Sequence, residues 1–262
     1  MIPGSFIING IESGELNSYI QNRPEIKTPR RKVNFREVNG RSGAVPFDER
    51  AYENTELTLN VFTSGQNEEE ISNKKDKIIY AFDGGSYFDF IPYFDPDMIY
   101  RVMTIDGPNF TGKGTHKNFL PYNVGLTVKP FKYFRNNNNK MELTKGASLV
   151  NPSFYESEPI ITIFGSGDIS IDINGRIFNM KNIDETITIN SENAHAYKIN
   201  NGNVINQDYK TYTLDFPILD KGQNLITWSG NVTKFEIEPR WKTLVWYQSY
   251  IIKMKKISTV MV

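Results

Sequence analysis

The sequence predicts a mainly β protein in two parts: an N-terminal β-sandwich-like domain with one α-helix and β-hairpins, then a C-terminal β-sandwich with a jelly-roll or galectin-like path. Three observations predict it. Short apolar runs with period-two alternation recur between glycine turns, as in Ile169, Ile171 and Ile173 before Asn174-Gly175. One stretch, Asn67 to Phe82, changes to a helical period. The run Asn136-Asn137-Asn138-Asn139 breaks the composition between the two parts.

Along the chain, Phe6 to Ile11 reads as strand, Asn-Gly turn, strand, the strongest short-range hairpin signal. Arg30-Arg31-Lys32 forms a basic cluster before Val33-Asn34-Phe35-Arg36, read as a solvated strand edge. Val38-Asn39-Gly40-Arg41-Ser42-Gly43 then asks for a tight turn with positive φ and projects Arg41 from it. Glu56 to Phe62 alternates as a half-buried strand.

For the helix, Ser64 or Asn67 is the expected cap. Glu68, Glu69 and Glu70 in the first turn match the positive dipole end, and Gly84-Gly85 is the expected stop. The aromatic run Tyr87 to Phe94 and the strand Phe119 to Phe131 follow.

Past the asparagines the pattern is almost purely β. Ile160 to Phe164 leads into Gly165-Ser166-Gly167, and Asn174-Gly175 and Asn201-Gly202 mark further hairpins. Gly222 to Trp228 and Val232 to Ile237 finish the set. The boundaries that follow are 1–134, a linker over 135–146, a sandwich domain over 147–241 and an extension over 242–262. That extension mixes Val245-Trp246-Tyr247 and Tyr250-Ile251-Ile252 with Lys253, Lys255 and Lys256, apolar enough to need a sheet edge or another subunit as partner.

Composition narrows the function classes. The 262 residues can bury large cores without metals or crosslinks, and the absence of cysteine excludes a disulfide scaffold or a cysteine zinc site. Thirty basic residues balance thirty acidic ones, so nothing in the net charge draws the chain to nucleic acid. The start Met1-Ile2-Pro3-Gly4 lacks the basic and apolar regions of an export signal, and no apolar run reaches membrane-helix length.

Signals for chemistry are weak. Gly107, Gly112 and Lys113 have phosphate-loop spacing, but Gly114 stands where a hydroxyl should meet magnesium, and His116 to Pro121 leads into a strand rather than a helix. His116 and His195 are the only histidines, each read as a surface residue. Asp168, Asp172, Asp184 and Glu185 are loose candidates for the paired carboxylates of a glycosidase. Trp228, Trp241 and Trp246 could stack on sugar, against the alternative that at least two of them pack in a core.

Phe6-Ile7-Ile8-Asn9-Gly10-Ile11, the Asn39 to Gly43 turn, Tyr52-Glu53-Asn54-Thr55, Tyr133, Pro159 and Gly222-Gln223-Asn224, in this order and spacing, resemble the distal tail protein family of long, non-contractile-tailed bacteriophages. The resemblance runs from about Phe6 to Trp241, and family members usually stop shortly after that point.

It implies a structural hub and no enzyme: a homohexameric ring built by the N-terminal domain, with the second domain outside it. The implied partners are the tail tube protein, the tail-tip protein and, in some phages, receptor-binding proteins. DNA would pass through the channel without specific binding, and no membrane is involved. The implied location is the phage tail tip in the virion, after assembly in the host cytoplasm. No catalytic, cofactor-binding or metal residue is transferred, and no cofactor is expected. A cell-wall carbohydrate-binding module and a glycoside hydrolase are the alternatives from other classes.

Overall fold

The computed structural model describes residues 1–111, 118–136 and 138–246. Phe6–Ile8 (β1) turns at Asn9-Gly10 into Ile11–Glu12 (β2), with φ of 49° and 79° at the two turn residues, as a two-residue hairpin with the strands' own twist requires. Ser18–Ile20 (β3) precedes a ribbon of Arg31–Arg36 (β4) and Val45–Tyr52 (β5). Thr55–Ser64 (β6) buries every second residue, as its alternation predicts. After helix α1, Glu68–Phe82, come Phe88–Pro92 (β7), Met98–Phe110 (β8) and Phe119–Phe134 (β9).

The helix begins where the sequence says it should. Asn67 is the cap, its side-chain oxygen accepting from the Glu70 N–H at 2.8 Å, while the Glu70 carboxylate accepts from the Gln66 N–H at 2.7 Å and pairs with Lys74 one turn on. The Lys74 ammonium, then the Gln66 N–H, hold the Glu70 carboxyl below its usual range. The end differs from expectation. Asp83 turns extended and its N–H bonds Tyr80, so neither Gly84 nor Gly85 takes up the left-handed cap. Ile71, Ile78, Ala81 and Phe82 form the buried face, where Phe82 meets Tyr122 edge-on and its carbonyl accepts from the Thr104 hydroxyl at 2.6 Å.

The chain divides into two compact units. One comprises Met1–Ser13, Tyr87–Arg101 and Phe131–Thr243; the other comprises Gly14–Ser86, Val102–Pro130 and residues 244–246. The first eight-stranded sheet runs β2-β1-β7-β8-β9-β6-β3.

The later strands are Met141–Glu142 (β10), Ala147–Asn151 (β11), Ile160–Ile173 (β12), Arg176–Ile183 (β13), Thr186–Asn190 (β14), His195–Asn200 (β15), Asn203–Asn206 (β16), Gly222–Glu238 (β17) and Lys242–Leu244 (β18). The last of these pairs with β9 in the first sheet. The others make a second sheet in the order β10-β17-β12-β14-β15-β16, with β11 also on β17 and β13 also on β12. The hairpins at Asn174-Gly175 and Asn201-Gly202 have φ of 54° and 84°, and of 48° and 81°.

Two long strands turn this sheet into a sandwich. The first half of β12 pairs with β14 and the end of β17; its second half pairs with β13 and the start of β17. The change of partner falls at bulges around Gly165–Ser170, opposite Gly230 and Asn231. There the main chains approach so closely that a Cβ on Gly165 would stand 2.3 Å from the Asn231 carbonyl oxygen, and one on Gly230 2.3 Å from that of Asp168. Gly165-Ser166-Gly167, into which the Ile160 to Phe164 run leads, is therefore a corner within one strand.

Both halves of β12 face one core. Ile161, Ile163, Ile169, Ile171 and Ile173 are buried with Phe178, Ile187, Ile189, Phe235 and Ile237. Each such side chain contributes roughly 1.5–3 kcal/mol relative to its exposed state.

Several described residues of the stretch read as a linker make hydrogen bonds. The Arg135 N–H donates to Asp97 O, the Asn138 side chain bonds both the N–H and the carbonyl of Trp241, β10 pairs with β17, and the Gly146 N–H donates to Ile226 O.

Candidate functional site

The β4–β5 ribbon belongs to neither large sheet; among the described residues its strands pair only with each other. It carries six basic side chains between Arg30 and Arg50 against three acidic ones. The Arg31 guanidinium grips Asp48 through two hydrogen bonds and donates a third, of 3.1 Å, to the Tyr52 hydroxyl. That Arg31 bond, with one from the Arg50 N–H, holds the Asp48 carboxyl below the usual carboxylate range. Asp48 thereby fixes a register shift at which Arg50 adopts φ of 55°.

Beyond the last ladder pair, Arg36 with Val45, lies the turn that the sequence singled out. Gly40 and Gly43 have φ of 77° and 81°, as expected. Phe35 and Phe47, on adjacent ladder rungs and so on opposite faces, are 68% and 49% exposed. A lone two-stranded ribbon is marginal in water, and here it carries apolar rings on both faces.

Helix α1 adds exposed apolar residues on its outer side, Tyr80 at 72% and Ile79 at 45%. The aromatic run Tyr87 to Phe94 is largely internal. Phe88 and Phe90 are buried, Phe90 packing on Phe6 and Tyr100 at 6.2 and 6.3 Å between ring centres. The covering side chain comes from the N-terminal strand, which local pattern does not reveal.

Elsewhere a cavity of about 580 Å³ is walled by Ile173, Phe178, Leu214 and Phe216, with Glu158 and Arg176 at its margin. Arg176 is held by Asp220 and Ile218 O, and Glu158 by Lys242. Both of these charged groups are thus paired, and Asp215 is the third charged residue of a lining that is otherwise mostly apolar. Nearby in the same unit, Tyr133 donates to Glu192, which pairs with Arg240, itself set over the Tyr133 ring. Burial, then the Glu192 carboxylate, pushes the Tyr133 hydroxyl up to about 12.

The carboxylates flagged in the sequence serve local structure. Asp168 accepts from the Asn182 N–H, Asp172 from the Gly175 N–H, and Asp184 and Glu185 share Lys198. His195 is exposed and bonds Asp208 at 3.0 Å. Trp241 is buried, Trp228 stacks on Phe235 at 4.5 Å, and Trp246 is 40% exposed. Gly107 lies within β8, not before a helix. Gly112, Lys113, Gly114 and His116 lie outside the described residues, as do 247–262 of the extension. Among the described residues no cluster of His, Cys, Asp and Glu could hold a metal, and no helix is long and apolar enough to cross a membrane.

The chain, mainly β with one α-helix, two large antiparallel sheets and a separate two-stranded ribbon among the described residues, is similar in fold to phage tail hub and baseplate proteins. SPP1 Dit, described as a paradigm of the hub adsorption apparatus in phages infecting Gram-positive hosts, matches 92% of this chain and 99% of its own, with a TM-score of 0.63 and 12% identity. Chains of the phage p2 baseplate in its activated conformation match as well. The strontium form covers 87% of this chain and 91% of its own at a TM-score of 0.52; the calcium form covers 90% and 98% at 0.53; both are 11% identical. No protein-family model and no curated protein matches the chain. The chain therefore has the distal tail protein fold.

Proposed function

We propose that the chain is the structural hub of a phage tail tip, six copies of which close into a ring that joins the tail tube to the tail-tip protein. Residues 1–134 build the ring and 147–241 stand outside it, where receptor-binding proteins could attach; 135–146 connect them and 242–262 extend the second part. The protein works by binding other proteins, without catalysis, as a virion component assembled in the host cytoplasm, and DNA crosses its channel without sequence-specific grip.

The observation that carries this reading is the near end-to-end likeness of fold to SPP1 Dit. The unpaired ribbon supports it: head-to-tail rings need two complementary patches per copy, and exposed apolar surface marks such patches. The ribbon with Phe35 and Phe47 and the helix side with Ile79 and Tyr80 are suited to the two roles. Negative-stain microscopy of the purified full chain tests it. Six-fold rings with an open centre are expected, and isolated single particles would refute the hub reading.

A further inference from the structure

We propose that Asn39, at the tip of the β4–β5 ribbon, is the chain's dominant site of spontaneous deamidation. In this reaction the Gly40 main-chain nitrogen attacks the Asn39 side-chain carbon. A C–N bond forms as the bond to Nδ2 breaks, and Nδ2 leaves as ammonia with the proton from the Gly40 nitrogen. Water then opens the five-membered imide at either carbonyl, giving aspartate or an isoaspartate whose main chain runs through the former side chain. Water enters, ammonia leaves, and the chain gains about one mass unit and one negative charge.

Glycine after asparagine favours the attack because no Cβ shields the nitrogen. The chain has four such pairs: Asn9-Gly10, Asn39-Gly40, Asn174-Gly175 and Asn201-Gly202. Three of them are two-residue turns clamped between adjacent ladder pairs, Ile8 with Ile11, Ile173 with Arg176, and Asn200 with Asn203. Their asparagines hold φ of 49°, 54° and 48°. Bringing the glycine nitrogen onto the side-chain carbon requires the asparagine main chain to rotate, which in a two-residue turn breaks the ladder beside it. Asn174 is tied further, since its amide donates to Asp220 and Asn224 and its oxygen accepts from the Leu225 N–H.

Asn39 is placed differently. It is exposed, it lacks the positive φ of the other three, and the nearest ladder pair is Arg36 with Val45, so residues 37–44 lie outside the ladder. The local main-chain bond it must disturb runs from the Arg41 N–H to Val38 O, at 3.1 Å. The space beside Gly40 is open. The modification itself does not depend on the ring. Its effect on assembly rests on the hub reading, because the new carboxylate appears two residues from Arg41 in a basic ribbon.

The full chain, incubated in mildly alkaline buffer and digested with trypsin over a time course, tests this by peptide mass. The Glu37–Arg41 peptide should gain the one-unit shift at least about tenfold faster than the other three Asn-Gly peptides, the ratio that roughly 1.4 kcal/mol of opening cost produces. In denaturant the four rates should converge, which assigns the difference to the fold. Asn39→Gln should remove the fast phase, since glutamine must close a larger ring. Any other Asn-Gly pair matching or leading Asn39 in the folded chain would overturn the proposal, as would a difference that persists in denaturant. The native mass of the same samples separates the two ideas: converted Asn39 with unchanged assembly upholds the modification and removes the ribbon tip from the ring contact.

Discussion

Replacing Gly230 by alanine probes the corner that folds one sheet into a sandwich. Gly230 has φ of 98°, and a Cβ there would stand 2.3 Å from the Asp168 carbonyl oxygen and 3.1 Å from Ile169. The left-handed backbone alone costs a residue with a Cβ about 1–2 kcal/mol. Forcing two main chains apart adds about 1–3 kcal/mol by analogy with overpacking. The combined loss, roughly 2–5 kcal/mol, is a large part of a typical domain's stability. At about 2–4 °C per kcal/mol for a chain of this size, the melting temperature should fall by at least about 4 °C.

Two further alanines separate the causes. Gly175 has φ of 84° but open space beside it, so Gly175→Ala feels backbone strain alone; Gly107 has neither constraint. A melt followed by tryptophan fluorescence reads the sandwich, because Trp228 stacks on Phe235 inside it. The expected order of destabilisation is Gly230, then Gly175, then Gly107 near zero. Gly230→Ala melting within a degree of the parent, or above Gly175→Ala, would refute the corner.

Other expectations follow from the same geometry. Asn67→Ala removes the helix cap and should cost about 0.5–2 kcal/mol in denaturant unfolding. Glu70, whose pKa lies below its unfolded value, stabilises the fold at neutral pH, and that contribution is lost as pH falls through its folded pKa; the difference between parent and Glu70→Gln should therefore shrink on acidification below about 4.3. In ultraviolet titration Tyr133 should ionise only near 12, after tyrosines of ordinary pKa, and Tyr133→Phe should remove that late step alone. Phe35→Ser combined with Phe47→Ser should weaken assembly as seen by sedimentation, since both rings are exposed on the ribbon.

Much of the fold was legible where local chemistry decides it. The Asn-Gly pairs at residues 9, 174 and 201 demanded left-handed turns, and the acidic first turn after Asn67 demanded a helix start; both demands are met. What stayed hidden depends on partners far along the chain. Gly165 carries no local sign that Asn231, 66 positions later, stands against it. Nothing in the run Asn136 to Asn139 announces that Asn138 bonds both main-chain groups of Trp241, 103 positions later. Of the candidate site, the turn at Asn39 to Gly43 was visible in its glycines. The ribbon's separation from both sheets was not, because sequence shows that strands exist and not which edge they leave free. The recess beside Phe216 carried no signal, being assembled from a loop and strands without a shared motif.

The central claim is that copies of this chain close on each other through head-to-tail contacts, and the mass of the full-length protein in solution tests it most directly. Light scattering or native mass spectrometry at micromolar concentration should find six copies of the 30.1 kDa chain, a particle of about 180 kDa, with no ladder of larger species, because a closed ring has no free ends. A single 30.1 kDa species across that concentration range, or an open-ended series of masses, would contradict the account.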